Sequence, residues 1–298
     1  MARKRFFAGV ELGGTKSIAV LAREAEIVDQ VTFPTSEPDE TLDALSDRLR
    51  DWAGACAFSG LGIASFGPIR LDAAAPEYGR MYATPKPRWS GAPVAEALTV
   101  GLECPWLIDT DVNGAALAEY RWGAGRGTTS LCYVTVGTGV GGGLVMGGRP
   151  VHGAMHPEIG HLRLRRLAGD RFAGACPFHG DCVEGLVSGP ALAARFGCDP
   201  RRVPDQDPRW EAVASDIAEL AAAILLTTAA ERILIGGSVG LARVALLDRA
   251  RALLVERQGA YLPFLDAGAA QAIMRTPELG GKAGPLGAIA LAMAAFEG

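Results

Sequence analysis

Residues 6–22 read FFAGVELGGTKSIAVLA. Two apolar runs flank Gly13-Gly14-Thr15, so the stretch predicts a strand, a glycine turn and a second strand. Residues 131–146, LCYVTVGTGVGGGLVM, repeat that plan about 125 positions later. A repeated strand–turn–strand opening predicts a duplicated α/β architecture.

The segments around the two hairpins fit the same plan. Residues 26–33 add a third strand to the first hairpin. Residues 40–53 predict a helix, because Leu42, Leu45, Leu49 and Trp52 fall on one face. GLGIASF at 60–66 reads as a buried strand ending at Gly67-Pro68, and 107–110 as another strand, followed by a helix at 112–121. In the second half, 211–230 predicts a long helix and 232–235 a strand that runs into the turn GGS. Helices are predicted over 239–255 and 284–296. Strands alternating with helices place ligands at the carboxyl ends of the strands. A first lobe over 1–115, completed by the helix at 284–298, and a second lobe over 116–283 are expected. Residues 70–90, rich in Pro, Tyr, Arg and Trp, are expected to form an irregular, partly mobile surface segment.

Composition narrows the function classes. The 298 residues carry a formal charge of −4 and 49% hydrophobic residues, with no basic stripe that would suit nucleic acid. The N-terminal apolar stretch at 6–10 ends at Glu11, short of the roughly 7–15 residues of a secretory h-region. The apolar run at 220–230 is shorter than a membrane span of about 20 residues. A soluble cytoplasmic protein is expected. Cys56, Cys104, Cys132 and Cys198 are dispersed and read as small core residues.

Residues 137–142 formally match GxGxxG, but a strand-like segment follows where dinucleotide binding needs a helix. No GxxxxGK[ST] occurs. Glycines in a hairpin can still bring backbone N–H groups close to phosphate oxygens. Gly13-Gly14-Thr15 and Gly137-Thr138-Gly139 could grip phosphates in this way, or be simple tight turns. Asp109, Asp111 and Asn113 lie where a strand meets a helix. There an Asp or Asn is an ordinary helix cap, or one aspartate is a general base.

CPFHGDC at 176–182 raises a third question. His161, Cys176, His179 and Cys182 offer four N and S donors within 22 positions, a set that suits tetrahedral zinc. A redox pair would need C-x-x-C, and the spacing here is C-x5-C. Four protein ligands leave no open position, so the metal is structural. The alternative is a turn with two unrelated thiols. Between His161 and Cys176, residues 162–172 hold four arginines, which suits a protruding loop.

Together these pieces resemble the ROK family of sugar kinases, which share the actin-like ATPase, ribonuclease H-like fold, and within it the bacterial fructokinase branch. The resemblance rests on ELGGTK at 11–16, SFGPI at 65–69, DTDVNGAA at 109–116, GTGVGGG at 137–143, HPEIGH at 156–161, CPFHGDCVEGLVSGPA at 176–191 and GGSV at 236–239. The broad family has Asp where Glu11 stands, commonly Asn at Thr110, Gly at Pro157 and Cys at His179; the fructokinase branch shares the Glu and the His-Pro-Glu.

The resemblance implies roles. Asp111 would accept the proton of the sugar's primary hydroxyl. Glu158, Glu184 and Asn113 would receive sugar hydroxyls, beside Gly67 and Pro68 of the sugar-side loop. His161 would ligate zinc and aim Glu158. Gly13, Gly14, Thr15, Gly137, Thr138 and Gly139 would hold ATP phosphates; Lys16 could reach a phosphate or be a solvated lysine at the strand edge. Gly236 and Gly237 would lie near the adenosine, and Glu11 would face magnesium. The product would be fructose 6-phosphate, with mannose, glucose or an N-acetylated hexose as alternative substrates and a homodimer as the assembly. A ROK-type repressor would need a DNA-binding helix pair ahead of the first strand, where five residues stand. An actin- or chaperone-like ATPase would lack the sugar motifs.

Overall fold

A computed structural model describes residues 5–240 and 243–298. The chain divides into two compact units. The first holds the chain up to Gly123, Arg149–His156 and Leu279–Gly298; the second holds Ala124–Gly148 and Pro157–Glu278.

In the first unit, β1 (Phe6–Leu12), β2 (Lys16–Arg23) and β3 (Glu26–Pro34) form an antiparallel meander. β4 (Phe58–Ser65) and β5 (Trp106–Thr110) join the other edge of β1 in parallel, giving the order β3-β2-β1-β4-β5. β1 and β4 are buried along most of their length because both faces are covered. On one side lies α1 (Pro38–Ala55), which buries the expected Leu42, Leu45, Leu49 and Trp52. On the other lie α3 (Asp111–Trp122) and α10 (Ala283–Glu297). This second face is built from small residues. A Cβ on Gly62 would meet the Ala288 carbonyl oxygen at 1.9 Å, and one on Gly287 would meet the Gly114 backbone at 2.4 Å. Backbone therefore packs directly on backbone at both places.

Residues 70–90 are irregular, as expected, but they are not peripheral. Met81 and Trp89 are 1% and 0% exposed, within a core that also holds α2 (Val94–Thr99). Polar and proline-rich flanks disguise two buried anchors whose partners lie far away in sequence. A two-residue strand, β8 (Arg149–Pro150), begins the segment that returns to this unit.

The second unit repeats the opening. β6 (Ser130–Val136) and β7 (Val140–Met146) form a hairpin, and β9 (Arg232–Gly236) joins β6 in parallel, as β4 joins β1. β10 (Met274–Arg275) extends β9. Helices α4 (Val183–Val187), α5 (Gly189–Phe196), α6 (Arg209–Thr228), α7 (Gly237–Gly240), α8 (Val244–Gln258) and α9 (Ala267–Ile273) belong to this unit. The helix expected over 239–255 divides into α7 and α8; residues 241 and 242 lie outside the described residues. Cys198 is exposed rather than in the core: Gly197 (φ 68°) ends α5 in the left-handed conformation and turns the chain outward. Arg195, nearly buried, reaches Asp170 at 3.2 Å and Asp216 at 3.0 Å, and so ties the arginine-rich loop to α6. Burial pushes Asp216 up to about 6 in spite of that arginine. Among the described residues no helix is long and apolar enough to cross a membrane.

Candidate active site

In the first unit, three adjacent parallel strands release their chains at the same edge. β1 runs into Gly13-Gly14-Thr15, β4 into Gly67-Pro68 and β5 into Asp111. Carboxyl ends of parallel strands collect ligands because the backbone there is open and the following helices begin.

The first glycine turn is held by its carbonyls. Gly13 N–H donates to Lys16 O at 3.1 Å, and the Thr35 hydroxyl donates to Gly13 O at 2.8 Å. Lys86 Nζ donates to Gly14 O at 2.7 Å, which places a cationic side chain beside the turn. A Cβ on Gly13 would stand 2.7 Å from Lys16 O, so the turn needs glycine there. Gly14, Thr15 and Lys16 are exposed. Glu11, on β1, fills the space beside Gly284 in the first turn of α10. Burial raises its pKa, partly offset by Lys16.

Gly67-Pro68 is a cis peptide. His156, 4% exposed, supports this loop, its Nε2 accepting the Ile69 N–H at 3.4 Å.

At the β5–α3 junction the two aspartates part company. Thr110 is the N-cap of α3, its hydroxyl accepting the Asn113 N–H at 3.1 Å. Neither aspartate is therefore needed as the cap. Asp109 is 2% exposed. Its Oδ1 accepts Thr110 N–H and Asn113 Nδ2, both at 2.7 Å, and its Oδ2 lies 2.9 Å from His152 Nε2. Asp111 is half-buried at the first helical position, and its Oδ1 accepts the Val112 N–H at 2.9 Å. Asn113 is fully buried.

In the second unit, β6 ends in Gly137-Thr138-Gly139 and β9 ends at Gly236, followed by Gly237 (φ 83°). The Gly189 N–H at the start of α5 donates to Gly137 O at 2.7 Å. A Cβ on Gly237 would meet the Val136 backbone at 2.4 Å, so the two strand ends close on each other. Beside them opens a cavity of about 560 Å³, whose walls include Leu192, Arg201, Trp210, Ser238, Val239 and Arg243. The Arg243 guanidinium stacks on Trp210 at 4.3 Å. Sequence motifs point to the glycines of this region; they do not point to Trp210 or Arg243, which lie on α6 and before α8.

Glu184, on α4, accepts the Val140 N–H at 3.1 Å and so sits under the second glycine turn. Glu158 is exposed as a residue, yet partial burial of its carboxyl and, second, the Glu184 charge raise its pKa. Next to this pair lie His161, Cys176, His179 and Cys182, whose donor atoms are all within 4.8 Å of one another. His161 Nδ1 stands 3.6 Å from Cys182 Sγ and 3.9 Å from Cys176 Sγ, and His179 Nδ1 stands 3.8 Å from Cys176 Sγ. Zinc bonds of about 2.0–2.3 Å in a tetrahedron give N–S edges of about 3.6 Å, so the four donors fit such an ion. The turn closes on itself through Cys176 N–H to Gly180 O and Gly180 N–H to Cys176 O.

Comparison with known proteins adds a family to this geometry. The ROK family model matches residues 7–295. A fructokinase of Zymomonas mobilis is 39% identical, with 98% of each chain covered. A fructokinase of Pediococcus pentosaceus is 36% identical over 77% of this chain and 79% of its own. The crystal structure of a ROK hexokinase from Thermus thermophilus superposes with a TM-score of 0.77 at 26% identity, covering 98% of this chain and 99% of that one. The fold is the actin-like ATPase fold, and with a match along nearly its whole length the chain belongs to the ROK family.

Proposed function

We propose that the chain is an ATP-dependent hexose kinase that transfers the γ-phosphoryl group to the 6-hydroxyl of fructose. One observation carries the reading: Thr110 takes the capping role and Asp109 is buried in hydrogen bonds, so Asp111 has no need to serve as the cap. Asp111 is the general base in this reading. Its carboxylate accepts the hydroxyl proton as the oxygen attacks phosphorus, and the bond from the γ-phosphorus to the bridging oxygen of ADP breaks.

Glu158 and Glu184 receive sugar hydroxyls, with Asn113 and the Gly67-Pro68 loop completing the set. Gly13, Gly14, Thr15, Lys16, Gly137, Thr138 and Gly139 receive phosphate oxygens. The cavity beside Gly236 and Gly237 takes the nucleoside, and the stacked Trp210–Arg243 pair suits a flat base. Glu11 faces the magnesium that accompanies ATP and neutralises its charge. His161, Cys176, His179 and Cys182 would hold zinc, which supplies rigidity to the segment carrying Glu158 and Glu184. A homodimer in the cytoplasm completes the reading.

The fructokinase relatives support fructose; the Thermus hexokinase keeps a broader hexose preference as the second reading. The test is ADP release by purified protein across fructose, mannose, glucose and N-acetylated hexoses, with the phosphorylated position identified by NMR. Fructose should give the highest kcat/KM. A tenfold preference for glucose or an N-acetylated sugar would select the second reading, and ATP hydrolysis indifferent to sugar would remove both.

A further inference from the structure

His152 opens the histidine-rich stretch HGAMHPEIGH at 152–161, and no role falls to it from the sequence. It arrives in the first unit on Arg149–His156, 43 residues after the aspartate it meets. Its Nε2 lies 2.9 Å from Asp109 Oδ2, while Asp109 Oδ1 is already occupied by Thr110 N–H and Asn113 Nδ2. An ionised carboxylate only accepts, so Nε2 carries the proton in this pair.

The three donors on Asp109 are not equivalent. Thr110 and Asn113 belong to the same strand-to-helix junction as Asp109 and move with it. His152 is the one donor of the three that comes from a separate segment of chain. It therefore adds a side-chain tie from a second segment to a junction whose backbone β4 already pairs at Asp109 and Thr110. Asp111 lies between the anchored Asp109 and the anchored Asn113, two residues from each. A small shift of Asp109 reaches Asp111 through a single intervening residue, Thr110, which also caps the helix.

Energetics favour a tight lock. Asp109 is 2% exposed, and a buried carboxylate oxygen without a donor is costly. The pairing also raises the His152 pKa, first through the hydrogen bond to Asp109, with partial burial opposing and the Asp109 charge adding. His152 itself keeps 38% of its side chain exposed, so it is not a packing residue whose loss would empty the core.

We propose that His152 is a positioning residue for the phosphoryl transfer: through Asp109 it holds the β5–α3 junction so that the Asp111 carboxylate meets the sugar hydroxyl. The inference rests on Asp111 being the base.

The experiment compares His152→Gln with His152→Asn. Gln can place an amide N–H near the position of Nε2; the shorter Asn cannot. His152→Asn should lower kcat by about ten- to a hundredfold, the scale of a misplaced catalytic group, with the KM for ATP within about twofold of wild type. His152→Gln should recover kcat to within about threefold. Melting temperatures and ATP binding, followed by fluorescence, verify that both variants fold. Equal impairment of the two variants, or unchanged kcat in both, overturns the role. A rise in sugar KM with kcat intact also overturns it, because His152 would then contact substrate. Wild-type protein without hexose-dependent ADP release defeats the kinase reading, and this inference with it. Wild-type turnover with an unimpaired Asn variant defeats this inference alone.

Discussion

The two glycine turns share a plan and differ in what holds them. The turn at 13–15 is held through its carbonyls, by the Thr35 hydroxyl and Lys86 Nζ. The turn at 137–139 is held by Gly189 N–H on Gly137 O and by a carboxylate: Glu184 accepts the Val140 N–H. A cation therefore borders the first turn and an anion the second. Phosphate is favoured beside a cation and opposed by a bare carboxylate at short range. The duplicated hairpin thus carries two different chemistries, because the supports come from segments outside the repeat. The first turn suits phosphate by charge; the second suits phosphate through its N–H groups and polar hydroxyl-bearing ligand through Glu184.

The largest test lies in the first unit. Asp111→Asn keeps size and removes basicity, so kcat should fall by about 10²–10⁴-fold, the usual contribution of a general base. The melting temperature should hold, since Thr110 remains the cap. Rapid-quench or steady-state ADP release measures the first, and calorimetry the second. Near-normal turnover would mean that the chemistry does not reside at this junction.

The next test lies in the second unit. Purified protein should hold zinc at His161, Cys176, His179 and Cys182, counted by plasma mass spectrometry and seen as tetrahedral N/S ligation by X-ray absorption. Chelation should raise the sugar KM by about tenfold or more, on the scale of losing the support behind a ligand, and leave the ATP KM within about twofold. Zinc-free protein with normal sugar affinity would detach the cluster from the site.

A smaller effect separates the two turns directly. Lys86→Ala removes a hydrogen bond of about 0.5–1.5 kcal/mol, so the ATP KM should rise about two- to thirteenfold with the sugar KM unchanged. Glu184→Gln should do the reverse, raising the sugar KM. If both variants change the same KM, the two turns do not differ as their charges suggest.

The smallest effect concerns pH. The Glu158 pKa is raised above its ordinary value by partial burial and by Glu184. A carboxyl raised in the folded state binds its proton more tightly there than in the unfolded chain. Its ionisation therefore opposes folding, a cost that appears as pH rises from the unfolded pKa through the raised one. Glu158→Gln should raise the melting temperature at neutral pH by no more than about 2 °C, since the residue is exposed, and should leave it unchanged in acid. A drop at neutral pH would show that the charge is favourable.

Local pattern made much of this molecule readable. The apolar runs around Gly13-Gly14 and Gly137-Gly139 are short-range signals, and the α1 face follows from periodicity alone. The donors of the Cys/His cluster are close in sequence, Cys176 to Cys182 spanning a single turn, so their spacing carried information. Supports from far away left no such trace. Lys86 meets Gly14 across 72 residues, and His152 meets Asp109 across 43. Trp89 and Met81 sit in a polar, proline-rich stretch where nothing in the neighbouring residues announces burial. Thr110 as the cap was obscured by two aspartates that look equally suited to it.

The backbone-on-backbone seating of α10 has a consequence for biosynthesis. Strands β1 and β4 bury one face against α10, and Gly60 and Gly62 are shaped to its main chain. Everything else in the first unit except Arg149–His156 has been translated by Gly123, yet α10 begins only at residue 283. At roughly 5–20 residues per second, that interval lasts on the order of 10 s. Throughout it the nascent first unit has α3 on this face but lacks α10, so the part of β1 and β4 that α10 covers stays open while the second unit is being made. A chaperone that shields such a face, or a transient stand-in helix, would have its moment during translation, and ribosome-bound chains halted before residue 283 should bind a holdase that full-length chains release.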